Sequence, residues 1–328
     1  MTSCFFRSPL AFRLQTFVEM RSSLGRRSIR EQKIFRYLDC FLMDKLKPGQ
    51  TITRNIAESW VKSMDHLSVG TRINRMSVLR QFCRYLSHFD SRTCVINSSS
   101  FPRRTRPTPY IYTRAQIRSV IAVAKKIGPP KSFRPMVLST VIGLLYNTGL
   151  RISEAMKLTL EDVNLKRRVL TIRETKFRKS RYVPISPSTA RVLANFLKKR
   201  QHAGYSTDPA KPVFINATTG RAYGSVRICE LFLELLRSLK LRGPKGERGP
   251  RLHDLRHSFA VQRLLAWYRQ GADLPAKLPL LTTYLGHSSV IYTEIYLQAT
   301  AELLQEAGKR FRNYCSIPIS KKEVPHVQ

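Results

Sequence analysis

Between Arg251 and Tyr296 the chain concentrates side chains that could work on a phosphate. The stretch opens Arg-Leu-His-Asp-Leu-Arg-His-Ser-Phe-Ala and closes Leu-Gly-His-Ser-Ser-Val-Ile-Tyr-Thr-Glu-Ile-Tyr. It holds His253, Arg256, His257 and His287, with three phenols, Tyr284, Tyr292 and Tyr296, as candidate nucleophiles. Cations hold the charge of a phosphate, an imidazole moves a proton, and a phenol attacks.

Such a cluster needs a polyanionic substrate, and the composition supplies the reason to expect one. Lys and Arg number 58 against 21 Asp and Glu, a formal net charge of +37 over 328 residues. Neutralising phosphates releases condensed counterions, so nucleic acid fits this excess, with strongly salt-dependent binding. The excess runs along the whole chain, which favours nucleic acid over an anionic membrane or a merely solvated surface. No apolar run approaches the ~18 residues that span a bilayer, so no membrane partner is expected. Cys4, Cys40, Cys83, Cys94, Cys229 and Cys315 are scattered without a Cys-x-x-Cys pair, which argues against structural zinc and disulfides and fits a reducing cytoplasm.

The elements that must position the cluster divide into two groups. Residues 1–25 read as a flexible or partly helical tail, because Arg7 and Arg13 interrupt any signal-like apolar run. Ile29, Ile34, Tyr37, Leu38 and Phe41 recur at helical spacing; Thr53 is placed to cap a short helix through Trp60 and Met64. Ile73, Met76, Leu79, Phe82 and Leu86 form the stripe of a stronger helix. Residues 26–96 are therefore a helical domain whose arginines suit contacts to DNA phosphates. Residues 97–112, with Pro102, Arg103, Arg104, Arg106, Pro107 and Pro109, read as an extended basic linker.

The second domain is expected over 113–316, followed by a tail at 317–328. Thr113 and Gln116 make a capping-box pattern ahead of Ile117, Val120 and Ile121. A helix from Met136 to Asn147 stops at Gly149, so Arg151 sits at a rigid junction. The period then changes: Val169 to Arg173 and Tyr182 to Ile185 read as antiparallel partners. Their turn, Thr175 to Ser180, carries Lys176, Arg178 and Lys179. Eight basic residues against one acid between Lys166 and Arg181 leave an outside anion as their partner. Helices follow at Ala190 to Arg200 and Ser225 to Leu239, and a mobile basic loop leads into His253. The fold class is mainly α with a small antiparallel sheet.

With these pieces placed, the chain resembles the tyrosine site-specific recombinases, the phage-integrase and Xer family. The resemblance rests on Thr148-Gly149-Leu150-Arg151-Ile152-Ser153-Glu154, the hairpin Lys176, His253-x-x-Arg256-His257, Leu285-Gly286-His287, and Tyr296 nine positions past His287. It covers Thr113 to Phe311, and the first domain is similar to that family's helical core-binding domain. The resemblance implies Tyr296 as nucleophile, forming a 3′-phosphotyrosyl link to DNA, and Arg151 and Arg256 as the phosphate clamp, where guanidinium forks match phosphate oxygens. It further implies Lys176 as the acid for the leaving 5′-oxygen, His253 as assistant in removing the tyrosine's proton, and His287 as a phosphate or positioning contact. His257 is expected to pack or cap, Glu154 to be structural, and Tyr284 to lie in the core.

The covalent link would store the phosphodiester's energy, so no cofactor or metal is expected. The family also implies paired duplex DNA sites and a homo-tetramer on them; other recombinases or accessory proteins are further candidate partners, and the expected location is the bacterial cytoplasm at the nucleoid. The helix expected at Ala301 to Cys315 would dock on a neighbouring subunit or on its own domain. The chain between Arg256 and His287 is longer than is usual in the family, a feature similar to recombinases carried by transposons, and integration or transposition of a mobile element is the role this implies. Two rival readings are a type IB topoisomerase-like enzyme and a non-catalytic DNA-binding accessory protein.

Overall fold

The computed structural model describes residues 5–25, 29–97, 109–128, 132–173, 180–216, 219–287, 289–294, 296, 305–306, 308–309 and 311–312. The chain forms two compact units, Met1–Pro107 and Thr108–Gln328. Most of the expected linker, residues 98–108, and most of the expected C-terminal helix lie outside the described residues. Among the described residues no helix is long and apolar enough to cross a membrane.

The first unit is all-helical: α1 (Ala11–Ser23), α2 (Ile29–Lys45), α3 (Arg54–Lys62) and α4 (Val69–Leu86). The α4 stripe points inward as its spacing requires, with Met76, Leu79, Phe82 and Leu86 buried. Within the segment expected to be a flexible or partly helical tail, residues 11–23 are the helix α1, and it packs on the core of this unit. Leu14 and Phe17, three apart on α1, are buried, and the Phe17 ring lies 5.7 Å from Phe35 and 5.6 Å from Phe82. The segment ahead of α1 is tied down as well, because the backbone N–H groups of Arg7 and Ser8 donate to the buried Asp39 carboxylate at 2.8 and 2.9 Å. Thr53 occupies the N-cap position of α3, but its side chain makes no capping bond.

The second unit surrounds a three-stranded antiparallel sheet with helices. Thr113 caps α5 (Arg114–Ala124) with both capping-box bonds present. The core helix α6 (Arg134–Thr148) follows, then α7 (Ile152–Lys157). The sheet order is β1 (Val163–Asn164), β2 (Val169–Ile172), β3 (Arg181–Pro184), with Leu170 opposite Val183. Its alternation is the expected one: Leu170, Ile172 and Val183 are buried while Tyr182 faces solvent. The two-residue β1 was not legible as a strand. Helices α8 (Pro187–His202) and α9 (Ser225–Ser238) complete this core with the buried Val213 and Phe214.

The basic loop ahead of His253, expected to be mobile, is braced by Arg242, which donates to the carbonyls of Glu247 (2.7 Å) and Pro250 (2.8 Å). Beyond it, α10 (Asp254–Arg269), α11 (Leu274–Leu285) and the short α12 (Ile291–Glu294) enclose a second core containing Phe259, Leu264, Leu278, Leu281, Leu285 and Tyr296. The longer stretch between Arg256 and His287 is spent here. It closes α10, starts α11 with an Asp273 N-cap accepting from the Ala276 N–H, and buries Leu274 and Leu278.

The junction after α6 depends on a residue without a side chain. Gly149 is left-handed (φ 62°), and a Cβ there would stand 2.6 Å from Phe259 Cδ1 and 2.9 Å from Leu285 Cδ2. Gly149→Ala is therefore expected to cost about 2–4 kcal/mol, combining a disfavoured backbone region with overpacking. Thermal or denaturant unfolding of the variant checks this.

Candidate active site

The site is built where α6, α10 and α11 meet. Immediately after the Gly149 turn, Arg151 takes the N-cap position of α7, and Glu154 sits one turn in. Glu154 reaches back as a capping carboxylate: its Oε2 accepts from the Arg151 backbone N–H (2.9 Å) and its Oε1 from Arg151 Nη1 (2.7 Å). A second arginine shares the same carboxylate. Arg181, first residue of β3, donates from Nη1 to Oε1 (3.2 Å) and from Nη2 to Oε2 (2.9 Å). Burial alone would raise the Glu154 carboxyl, but the Arg181 fork and the Arg151 bonds outweigh it and hold it below the ordinary carboxylate range.

Three arginines then converge on the end of α11. A helix C-terminus leaves its last carbonyls without intrahelical partners and carries partial negative charge. Here three consecutive carbonyls are satisfied by guanidinium groups from three different elements. Arg181 Nε donates to Tyr284 O (2.9 Å), Arg256 Nη2 to Leu285 O (2.7 Å), and Arg151 Nη2 to Gly286 O (3.1 Å). Arg256 also donates from Nη1 to Gly149 O (2.8 Å), which joins the end of α6 to the end of α11. Gly286 is left-handed (φ 69°), and a Cβ on it would lie 2.8 Å from Arg181 Nη1, so the turn leading to His287 needs glycine. A guanidinium has five N–H donors; these contacts orient each fork and leave N–H groups for an anion. Burial, then the charge of Arg151, lowers Arg256 to about 10, still cationic at neutral pH.

The phenol stands beside this cradle. Tyr296 is 3% exposed, and its hydroxyl lies 3.0 Å from His257 Nδ1. Burial raises its pKa, while Arg256, which also hydrogen-bonds the phenol, and Arg151 pull the other way. His257 and His287 flank it, and His253 packs on His257. His253 and His257, four apart on the start of α10, stack edge to face at 4.8 Å. The His287 ring lies 6.3 Å from the Tyr296 ring, and its Nδ1 is 2.9 Å from Thr293 Oγ1, which in turn contacts Thr282 Oγ1 at 2.9 Å. Burial, then Arg251 and Arg256, brings His257 down to about 4; burial, then Arg256 and Arg151, brings His287 down to about 3. His253 is exposed by surface area but sits on a crowded cationic floor. Desolvation of the ring, then His257 and Arg256, brings it to about 4. At neutral pH all three are neutral, able to accept a proton.

The structure thus brings together five of the six residues singled out in sequence: Arg151, His253, Arg256, His287 and Tyr296. The sixth, Lys176, lies outside the described residues, as does the rest of its turn, 174–179. Tyr284 stacks on Phe259 at 5.5 Å and donates to Pro184 O, away from the cradle. Tyr292 is half exposed on α12.

Two residues were undervalued in sequence. His257, read as packing, is the imidazole bonded to the Tyr296 hydroxyl, whereas His253 makes its described contact with His257. The i, i+4 spacing of the two histidines on one helix was the available signal. Arg181 read as one more cation of the hairpin, and nothing local marked it.

A buried phenol among two cationic forks and neutral imidazoles, on a helical domain with a small sheet, defines an enzyme of the tyrosine recombinase class. Residues 111–303 match the model of the phage integrase family. The chain is 36% identical over 302 residues to y4rB of Sinorhizobium fredii, which carries an integrase/recombinase name, covering 90% of this chain and 95% of that protein. It is 30% identical over 209 residues, 64% of either chain, to the tyrosine recombinase XerA of Pyrococcus furiosus. Among solved structures, the Tn1549 transposon integrase in complex with transposon right end DNA shares its fold. The TM-score is 0.66 at 19% identity, over 92% of this chain and 99% of that one. The chain belongs to the phage integrase family, and its activity is the tyrosine recombinase chemistry of DNA cleavage and rejoining.

Proposed function

We propose that this chain binds paired double-stranded DNA sites and joins them through a 3′-phosphotyrosyl intermediate on Tyr296, in the integration or transposition of a mobile element. The observation that carries the reading is the Tyr296 hydroxyl, held by His257 beside Arg256 and Arg151. Attack of the phenol oxygen on phosphorus breaks the bond to the 5′-oxygen; the Arg151 and Arg256 forks hold the non-bridging oxygens as charge develops. Lys176 protonates the departing 5′-oxygen, and His253 and His287 line the phosphate. The first unit serves as core-binding domain, the basic segment between the units follows the DNA backbone, and four chains assemble on two duplexes, in the cytoplasm at the nucleoid. The mobile-element role draws on the named integrase relative and on the transposon integrase fold.

The test is incubation with a nicked suicide duplex carrying the end of the element that encodes the chain, followed by denaturing electrophoresis and peptide mapping. A detergent-resistant adduct on Tyr296 is expected. Absence of any adduct on a verified cognate end overturns the reading, and an adduct on Tyr292 overturns the choice of nucleophile.

A further inference from the structure

We infer that His257 is the general base that takes the Tyr296 proton, with the neighbouring Asp254 carboxylate stabilising the imidazolium that forms. The inference deepens the reading of Tyr296 as nucleophile and rests on it. Its ground is the pair of partners on the two nitrogens of one ring in the first turn of α10: the Tyr296 hydroxyl lies 3.0 Å from His257 Nδ1, and Asp254 Oδ1 lies 3.9 Å from Nε2. For the phenol to donate to Nδ1, the ring proton must sit on Nε2, the nitrogen that faces the carboxylate. Asp254 is buried and fixed from elsewhere, accepting from the Arg251 backbone N–H (2.7 Å) and from Arg251 Nη2 (3.1 Å).

His287 has its ring 6.3 Å from that of Tyr296 and its Nδ1 on Thr293 Oγ1; the remaining imidazole is His253. It stands edge-on to His257 and is exposed. His257 is packed beneath it, its ring 5.4 Å from that of Tyr296. Both rings come from α10, yet they face different parts of the reaction.

The phenol O–H bond breaks with its proton passing to His257 Nδ1 and the phenol oxygen bonds phosphorus, while the bond from phosphorus to the 5′-oxygen breaks and that oxygen takes a proton from the general acid, Lys176. On rejoining, the imidazolium returns the proton to the tyrosine. Burial lowers the basicity of His257 most, then Arg251 and Arg256; the groups that face the ring are Asp254 at Nε2, His253 and the Tyr296 hydroxyl at Nδ1. The free enzyme holds it neutral. An arriving phosphodiester offsets the Arg256 and Arg251 fields and makes the ring a better base when it is needed.

The experiment compares single-turnover cleavage of an ordinary duplex and one with sulfur in place of the bridging 5′-oxygen, for wild type and His257→Gln. A sulfur leaving group departs without a proton, so it restores variants that lack the general acid and leaves a base defect in place. His257→Gln is expected to cleave about 10²–10³-fold more slowly on both substrates. Its rate should rise about tenfold per pH unit between roughly pH 6 and 9, where wild type, its base already neutral, stays flat. His253→Gln, losing a phosphate contact, is expected to slow cleavage while keeping the flat profile. Thermal unfolding and DNA affinity are followed in parallel, with His257→Asn as the second variant should Gln disturb the helix. A His257→Gln rate within threefold of wild type, full recovery on the sulfur duplex, or the steep pH profile in His253→Gln instead, overturns the assignment. A wild-type chain that forms no adduct fails the reading of Tyr296 itself, which separates the two failures.

Discussion

Tyr296→Phe is expected to abolish covalent attachment to DNA, lowering cleavage by at least about 10⁴-fold, while DNA affinity changes little. Removing the nucleophile of an assembled site leaves only positioning and charge stabilisation, and such losses are of this size or larger. The ring of Tyr296 is part of the apolar core between α10 and α11, with Leu285 and Phe259. Phenylalanine fills the same volume, so the fold should survive. The hydroxyl's partner, His257 Nδ1, loses its bond, and a stability decrease of about 1 kcal/mol follows. The variant therefore separates chemistry from folding: adduct formation vanishes, and unfolding shifts by a few degrees at most. Tyr292 offers the control. It is half exposed on α12, four positions earlier, and its ring lies 6.3 Å from His287. Tyr292→Phe should leave the adduct intact. An adduct that survives Tyr296→Phe and disappears in Tyr292→Phe would reverse the assignment.

The second large effect is expected at Glu154, which touches no substrate. Its carboxylate holds Arg181 by both oxygens and Arg151 by side chain and backbone. Glu154 and Arg181 are 7% and 10% exposed by side chain, Arg151 34%. Glu154→Ala leaves a buried guanidinium without its counter-charge, and breaking a buried pair from one side costs about 3–5 kcal/mol. Arg151 also loses its orientation relative to the α11 carbonyls, and a displaced clamp of this kind is worth about 100-fold in cleavage. Glu154→Gln, which keeps the shape and one accepting oxygen, should fall between wild type and alanine. The same carboxylate makes stability depend on pH. Its pKa is lower in the folded chain than the ordinary value of 4.5, so its contribution is fully present above about that value. It is lost as pH falls through the lower folded value. Acid unfolding of wild type should therefore steepen below about pH 4.5, and this component should be missing from Glu154→Gln. An equal acid sensitivity in the two proteins would contradict the linkage.

Much of this site was readable before any fold was known, and the reasons are local. Gly149 ending a helix, Thr113 and Gln116 capping one, and the alternation of Leu170 and Ile172 are short-range rules, so those elements formed where the spacing placed them. The distance from His287 to Tyr296 and the His253-x-x-Arg256 spacing named the reacting groups, because residue type and chain order carry that chemistry. The helix in the first 25 residues was readable as one alternative, but its packing was not, because Arg7, Arg13 and Arg21 interrupt the apolar residues Phe6, Leu10, Leu14 and Phe17 that the first core buries. Phe17 becomes core only once Phe35 and Phe82 are brought to it. The assignment of the imidazoles also waited on the fold. His253 and His257 are equivalent on a helical wheel, and which of them meets a phenol nearly forty positions away depends on how α11 and α12 return to α10. The same holds for the cradle: nothing within β3 marks Arg181, and nothing within the Leu285-Gly286 turn announces three guanidinium partners. By itself the sequence determined which residue types this enzyme has for cutting a phosphodiester, and the helices and strands that carry them. The tertiary structure alone decided their partners, because an unsatisfied helix end and a buried carboxylate select whichever cations the packing delivers, whatever their distance along the chain.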